Sequence, residues 1–265
     1  MSVIDAHVHF WRPARGDYGW LDGAGLERLR RDFDPADYPG KGAVIAVQAA
    51  PTVDETRYLL SLDDPRILGV VGWADLAAPD AAAQITALAT DRRLRGLRPM
   101  LQDIADTEWL MTTARPEAFA AMQDAGLVLD ALVTARHLPM LARFAERHPD
   151  LRIVIDHAAK PQPGARAGWR ADMARLAADP RIHCKLSGLM TELKDPAEQH
   201  QVAGDLLDLF GPGRLIWGSD WPVLTLAASF DDWHRLSGDL LAGLPAQARA
   251  AIMGGNAARV YGTAT

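Results

Sequence analysis

Val3-Ile4-Asp5-Ala6-His7-Val8-His9-Phe10 is a β-rich run with two imidazoles two positions apart, and it is the first of eight such runs along the chain. Strand side chains alternate between faces, so His7 and His9 leave one face together and can grip one electrophile, a metal ion or a polarised carbonyl. The other runs cover residues 42–48, 67–73, 94–100, 127–133, 152–157, 182–187 and 214–219. Longer Ala/Leu/Arg segments of helical period separate them, which is the pattern of repeated βα units around a parallel sheet. Their starts lie roughly 25–40 residues apart, close to one βα unit in a barrel of about 250 residues. Eight units in 265 residues predict an α/β fold, a single-domain (β/α)8 TIM barrel over 1–265. Closure makes the first and last strands neighbours, so Asp220, in Leu215-Ile216-Trp217-Gly218-Ser219-Asp220-Trp221-Pro222, can meet the histidine pair.

The 28 basic and 34 acidic residues give a net charge of -6. That balance favours solubility and argues against a nucleic-acid or anionic-membrane partner. The single cysteine, Cys184, has no partner for an internal disulfide, and no basic-then-apolar leader precedes Val3, so the expected compartment is the cytoplasm. No apolar stretch approaches a membrane span. A monomer and a homo-oligomer fit the composition equally.

Thr52 with Glu55 three positions on reads as a capping box, Pro116 and Gly126 mark a helix start and stop, and another helix begins near Asp195-Pro196. Residues 11–41 exceed what a barrel connection needs and follow the histidine pair directly. An active-site loop or lid is expected there.

Active sites of such barrels gather at the carboxyl ends of the strands. Those ends carry His7 and His9, Gln48, Arg98, His157, Lys185 with Ser187, and Asp220. So many polar groups at equivalent positions would each need a partner inside a purely structural core, so they are expected to converge on one mouth. Asp220, His157, His7 and His9 are the catalytic candidates. Arg98 offers a planar cationic fork for a carboxylate or hydroxyl groups, and Gln48 offers both a donor and an acceptor. Trp11, Trp73 and Trp221 flank the expected mouth with faces suited to a sugar ring. Lys160 either contacts substrate or closes its loop through an ion pair. Asp156 should point away from His157 in a regular strand, and either orient the backbone or pair outside the barrel. His137, His148, His200 and His234 fall on expected helices, and no phosphate loop or Gly-x-Ser-x-Gly elbow is present.

Ile4-Asp5-Ala6-His7-Val8-His9-Phe10-Trp11, Gly96-Leu97-Arg98, Asp156-His157 with Lys160-Pro161, Lys185-Leu186-Ser187-Gly188, Trp217 to Pro222 and Asn256-Ala257-Ala258-Arg259-Val260-Tyr261 occur in order over nearly the whole chain. Together they resemble the amidohydrolase superfamily, in its branch of sugar lactonases and 2-pyrone-4,6-dicarboxylate lactonase. The resemblance implies a distorted barrel that opens a small sugar lactone with water. Asp220 would be the general base that takes the proton of water and returns it to the ring oxygen, and His7, His9 and His157 would polarise the carbonyl or hold a metal that does so. One departure concerns the fifth strand: Leu129-Asp130-Ala131-Leu132-Val133 lacks the histidine or modified lysine of relatives with a full metal site. The expected cofactor is therefore none strictly required, or one divalent ion, Zn2+, held by His7, His9 and Asp220, with or without His157 as a further ligand. A zinc-dependent decarboxylase and a lactone isomerase are the neighbouring alternatives on the same scaffold. A non-catalytic barrel that binds a sugar acid is the alternative from another class.

Overall fold

The computed structural model describes residues 3–263. Eight parallel strands follow one another in chain order: β1 (Ile4–Val8), β2 (Ala43–Val47), β3 (Ile67–Gly72), β4 (Leu94–Leu97), β5 (Val128–Ala131), β6 (Arg152–Ile155), β7 (Ile182–Leu186) and β8 (Leu215–Trp217). Each lies inside its expected run. Helices return the chain between strands, among them Val53–Ser61, Ala81–Leu88, Pro116–Asp124, Leu138–Arg147, Arg166–Ala177 and Pro196–Phe210. The molecule is thus a single-domain, distorted (β/α)8 barrel. Among the described residues no helix is long and apolar enough to cross a membrane.

Two apolar layers result from the strand alternation. Ile4, Ala6, Ile45, Val47, Val71, Val128, Val154 and Ile216 fill the barrel interior, with Tyr261 packed among them. The opposite faces join the helices in a larger shell that includes Leu129, Leu141, Phe144, Ile155 and Leu206. Burying each such side chain stabilises the fold by about 1.5–3 kcal/mol before conformational entropy is counted.

The distortion lies at the seam between first and last strands. β8 ends at Trp217, and the seam closes beyond it. The Asp220 amide donates to the His7 carbonyl at 2.9 Å, and the His9 amide donates to the Trp221 carbonyl at 2.8 Å. Buried Asp5 staples the same edge, its carboxylate accepting from the Ser219 amide at 2.8 Å, the His7 amide at 3.2 Å and the Tyr38 hydroxyl at 2.9 Å. Close approach is built in at Gly218, where a Cβ would lie 2.7 Å from the Cβ of His7.

Helix punctuation follows the sequence with one difference. Thr52 accepts from the Glu55 amide at 3.1 Å, but the Glu55 carboxylate turns away to take the amides of Ala49 and Ala50, so half of the capping box forms. Two loop amides at the mouth of β2 would otherwise be orphaned, and they outcompete the cap. Residues 11–41 are a packed wall of short 3-10 turns, with Trp11, Tyr18, Leu21, Leu29, Phe33 and Tyr38 buried.

Burial raises Asp5 from 3.8 to about 6 despite its three donors. An acid that holds its proton more tightly when folded favours folding at low pH, and that contribution is lost as pH rises through about 6. The stability of the natural chain relative to Asp5→Asn should therefore fall by up to about 3 kcal/mol between pH 4 and pH 7 in chemical denaturation. A difference that does not change with pH would show that Asp5 is ionised in both states across this range.

Candidate active site

Strand geometry brings His7, on β1, and His9, just past its end, to one place. Their rings meet edge to face with centroids 4.9 Å apart, and His157 packs on His7 at 4.4 Å. Asp220 completes the group from the seam. Its Oδ1 lies 3.2 Å from His9 Nε2, 3.7 Å from His7 Nε2 and 3.8 Å from His157 Nε2. All four residues are buried, and the four catalytic candidates of the sequence are brought together.

Left-handed backbone makes this convergence possible. Asp220 has φ 60°, and His157, Ala158, Ala159 and Lys160 have φ of 49°, 53°, 58° and 50°. Such a conformation costs roughly 1–2 kcal/mol per non-glycine residue. The turn is held by the Lys160 amide donating to the His157 carbonyl at 2.8 Å and by the Trp169 indole donating to the Ala158 carbonyl at 2.7 Å. It also corrects the expectation for Asp156. Regular alternation ends at Ile155, so Asp156 keeps the inward side of Val154 while the turn swings His157 back to the same mouth. Asp156 therefore pairs inside the barrel, with Lys185 at 2.9 Å and with His7 and Arg98 at 3.5 Å.

The remote ring nitrogens are fixed as well. His9 Nδ1 donates to the Val47 carbonyl at 2.8 Å, and His157 Nδ1 pairs with Ser187 Oγ at 2.9 Å. Because a carbonyl only accepts, His9 carries a proton on Nδ1, and its Nε2 faces the Asp220 carboxylate. Two acceptors 3.2 Å apart need a proton or a metal ion between them. Burial opposes ionisation of Asp220, but the facing imidazoles of His157, His9 and His7 outweigh it and hold the carboxyl below its usual range. Burial pushes His157 down to about 4 against the pull of Asp220, and burial with neighbouring Lys185 holds His7 well below its usual value. Two neutral imidazoles therefore face an ionised carboxylate at neutral pH.

This donor set fits one divalent ion. One ligand atom from each of His7, His157 and Asp220 lies within 4.8 Å of the other two. Adjacent ligands of tetrahedral zinc, at roughly 2.0–2.2 Å from the metal, stand about 3.3 Å apart, near the observed spacing. His157 closes this triangle; His9, assigned to the metal in the sequence, touches it through Asp220. Strand β5 adds no further ligand. Its Asp130 turns down to Lys185 at 2.5 Å and to the Tyr261 hydroxyl at 2.9 Å.

The site opens into a cavity of about 290 Å³ lined by His9, Arg98, His157, Lys160 and Asp220, with Trp20, Leu26, Leu132, Val223 and Leu226 as its apolar wall. Arg98 is where the sequence placed it. Lys160 lines the cavity and forms the ion pair expected of its loop, with Glu192 at 3.2 Å. Four expected substrate contacts lie elsewhere. Gln48 is fully buried beneath the mouth, exchanging hydrogen bonds with Arg98: its Nε2 donates to the Arg98 carbonyl at 2.7 Å, and the guanidinium donates to the Gln48 carbonyl. Trp11 packs on Trp20 and Phe33 and donates to loop carbonyls, and Trp221 is enclosed by Phe10, Phe33 and Tyr38. Trp73 lines an adjoining apolar recess with Trp20 and Trp109. Trp20 and Leu26, inside the long loop, are the wall residues that sequence reasoning missed; a large apolar side chain in a loop next to the site was the available signal.

Comparison with known proteins follows the same lines. The family described as Amidohydrolase matches residues 4–263. An L-fucono-1,5-lactonase of Burkholderia ambifaria is 45% identical, covering 97% of this chain and 94% of that protein. An L-fucono-1,5-lactonase of Burkholderia multivorans is 43% identical, covering 97% and 95%. A crystal structure of an amidohydrolase from Burkholderia multivorans with bound zinc superposes with a TM-score of 0.90 at 42% identity, over 99% of each chain.

Gly188 holds φ +69° directly against His157, where a Cβ would stand 2.9 Å from the imidazole. Gly188→Ala should lower stability by about 1–3 kcal/mol and displace the ring from Asp220 in a crystal structure. An unmoved ring with unchanged stability would show that His157 is positioned by other contacts.

Proposed function

The chain belongs to the amidohydrolase family, and on that premise we propose that it hydrolyses a sugar-acid lactone, of the kind its Burkholderia relatives open, with Asp220 as the base that activates water. The observation that carries this proposal is an ionised, buried carboxylate facing three imidazoles on the floor of a cavity near the lower end of the size range of small-molecule sites, about 300–1,000 Å³.

Water between Asp220 and the lactone carbonyl gives its proton to the carboxylate as its oxygen bonds to the carbonyl carbon. The imidazoles of His7 and His157 stabilise the charge that grows on the carbonyl oxygen, where a low-dielectric setting strengthens each hydrogen bond. Collapse breaks the bond to the ring oxygen, and Asp220 returns the proton to that leaving alkoxide, so the carboxylate is regenerated with each hydroxy acid released. Arg98 and Lys160 face the cavity as cations for the oxygens of the sugar and the new carboxylate. Leu26, Leu132, Val223 and Leu226 meet the less polar edge of the ring. A divalent ion held by His7, His157 and Asp220 would add Lewis-acid polarisation of the carbonyl. Residues 11–41 wall the site from water. The reaction takes place in the cytoplasm on a small molecule, by a monomer or homo-oligomer, and calls for no nucleic-acid or membrane partner.

With L-fucono-1,5-lactone and related sugar-acid lactones, proton release by the natural chain should exceed spontaneous opening. Asp220→Asn should lose about a thousandfold in kcat while keeping its circular dichroism. Near-normal turnover in that variant would exclude Asp220 as the base.

A further inference from the structure

The two histidines of the His-x-His pair have different partners on Nδ1. For His9 the partner is the Val47 carbonyl, which fixes the proton on Nδ1. For His7 it is the fully buried ammonium of Lys185, 3.0 Å away. That ammonium lies 2.5 Å from Asp130 and 2.9 Å from Asp156, so it is charged and acts only as a donor. Asp156 stands 3.5 Å from the same nitrogen, and neither of its carboxylate oxygens has hydrogen-bond geometry to any partner. Arg98 approaches Nε2 of His7 at 3.4 Å and is also a donor. A neutral imidazole accepts at one nitrogen only, so it cannot serve both. The shorter contact from the compact ammonium takes the lone pair, and the other arm of Arg98 is satisfied by the Gln48 carbonyl.

We propose that Lys185 is a positioning residue that locks His7 in the tautomer with its proton on Nε2, on the side of Asp220, and that His7 binds a divalent ion there only by breaking the Lys185–His7 bond. A metal on Nε2 needs the lone pair there and moves the proton to Nδ1, where it faces the ammonium. Lys185 therefore weakens metal binding and keeps a donor of His7 on the side of Asp220, where the lactone carbonyl is proposed to bind. The catalytic half of this proposal rests on the lactonase function above, while the tautomer and the metal affinity do not.

The test is heteronuclear magnetic resonance of the full chain, labelled with heavy nitrogen in histidine and treated with chelator, with signals assigned through His7→Asn and His9→Asn. His7 should show protonated Nε2 and bare Nδ1, and His9 a protonated Nδ1; protonated Nδ1 in His7 overturns the proposal. Zinc affinity measured against a chromophoric chelator should then rise by about tenfold or more in Lys185→Met, the loss of one charge-assisted hydrogen bond that opposed the metal. Unchanged or weaker zinc binding overturns it. Should Lys185→Met fail to fold with Asp130 unpaired, the charge-balanced Asp130→Asn/Lys185→Met chain carries the same expectation, and the tautomer of the natural chain decides in either case. A chain with the expected tautomer that opens no lactone would refute the proposed substrate and leave the role of Lys185 standing.

Discussion

Closure of the barrel between β1 and β8 is the constraint on which the site depends. The hydrogen bonds that close it join His7 and His9 to Asp220 and Trp221, so the seam that pairs these backbones also brings the side chains of His7, His9 and Asp220 together at the candidate site. Asp5 adds a buried staple from β1 to Ser219, and Gly218 allows the two edges to approach beside His7. A shift in the seam would separate Asp220 from the imidazoles of both His7 and His9. The strain in the left-handed residues Asp220 and His157 persists because a well-packed barrel over-determines their positions.

Beneath the histidines lies a buried ionic floor of Asp130, Asp156, Lys185 and Arg98, with the Tyr261 hydroxyl on Asp130. Such groups are costly to remove from water, and a buried ion pair is weak support for stability alone. Their value here is local. Lys185 and Asp156 set the field and the hydrogen bonding around His7, as the carbonyl of Val47 and the hydroxyl of Ser187 do for His9 and His157. Outer partners of this kind orient the groups that meet a substrate or a metal.

The fold was legible because eight β-rich runs at regular spacing admit few architectures, and β1 to β8 lie within them. His7, His9, His157 and Asp220 were legible because barrel sites gather at strand ends. Asp156 was misplaced because simple alternation has no way to anticipate four consecutive left-handed residues. The tryptophans were over-read, since position near the mouth does not distinguish Trp20, on the cavity wall, from Trp11, which braces the loop behind it. Lys185 stood out only as a polar strand end. Its partner Asp130, and Tyr261 whose hydroxyl donates to Asp130, lie 55 and 76 residues from it in the chain, so their meeting exists only in three dimensions.

The central claim is that water, activated at Asp220, attacks the lactone carbonyl. Turnover of L-fucono-1,5-lactone in water enriched in heavy oxygen, with the label located in the product by mass spectrometry and carbon magnetic resonance, tests it most directly. One labelled oxygen in the new carboxylate is the predicted result. Label on the hydroxyl that was the ring oxygen, or an unlabelled product formed by internal rearrangement, would contradict it.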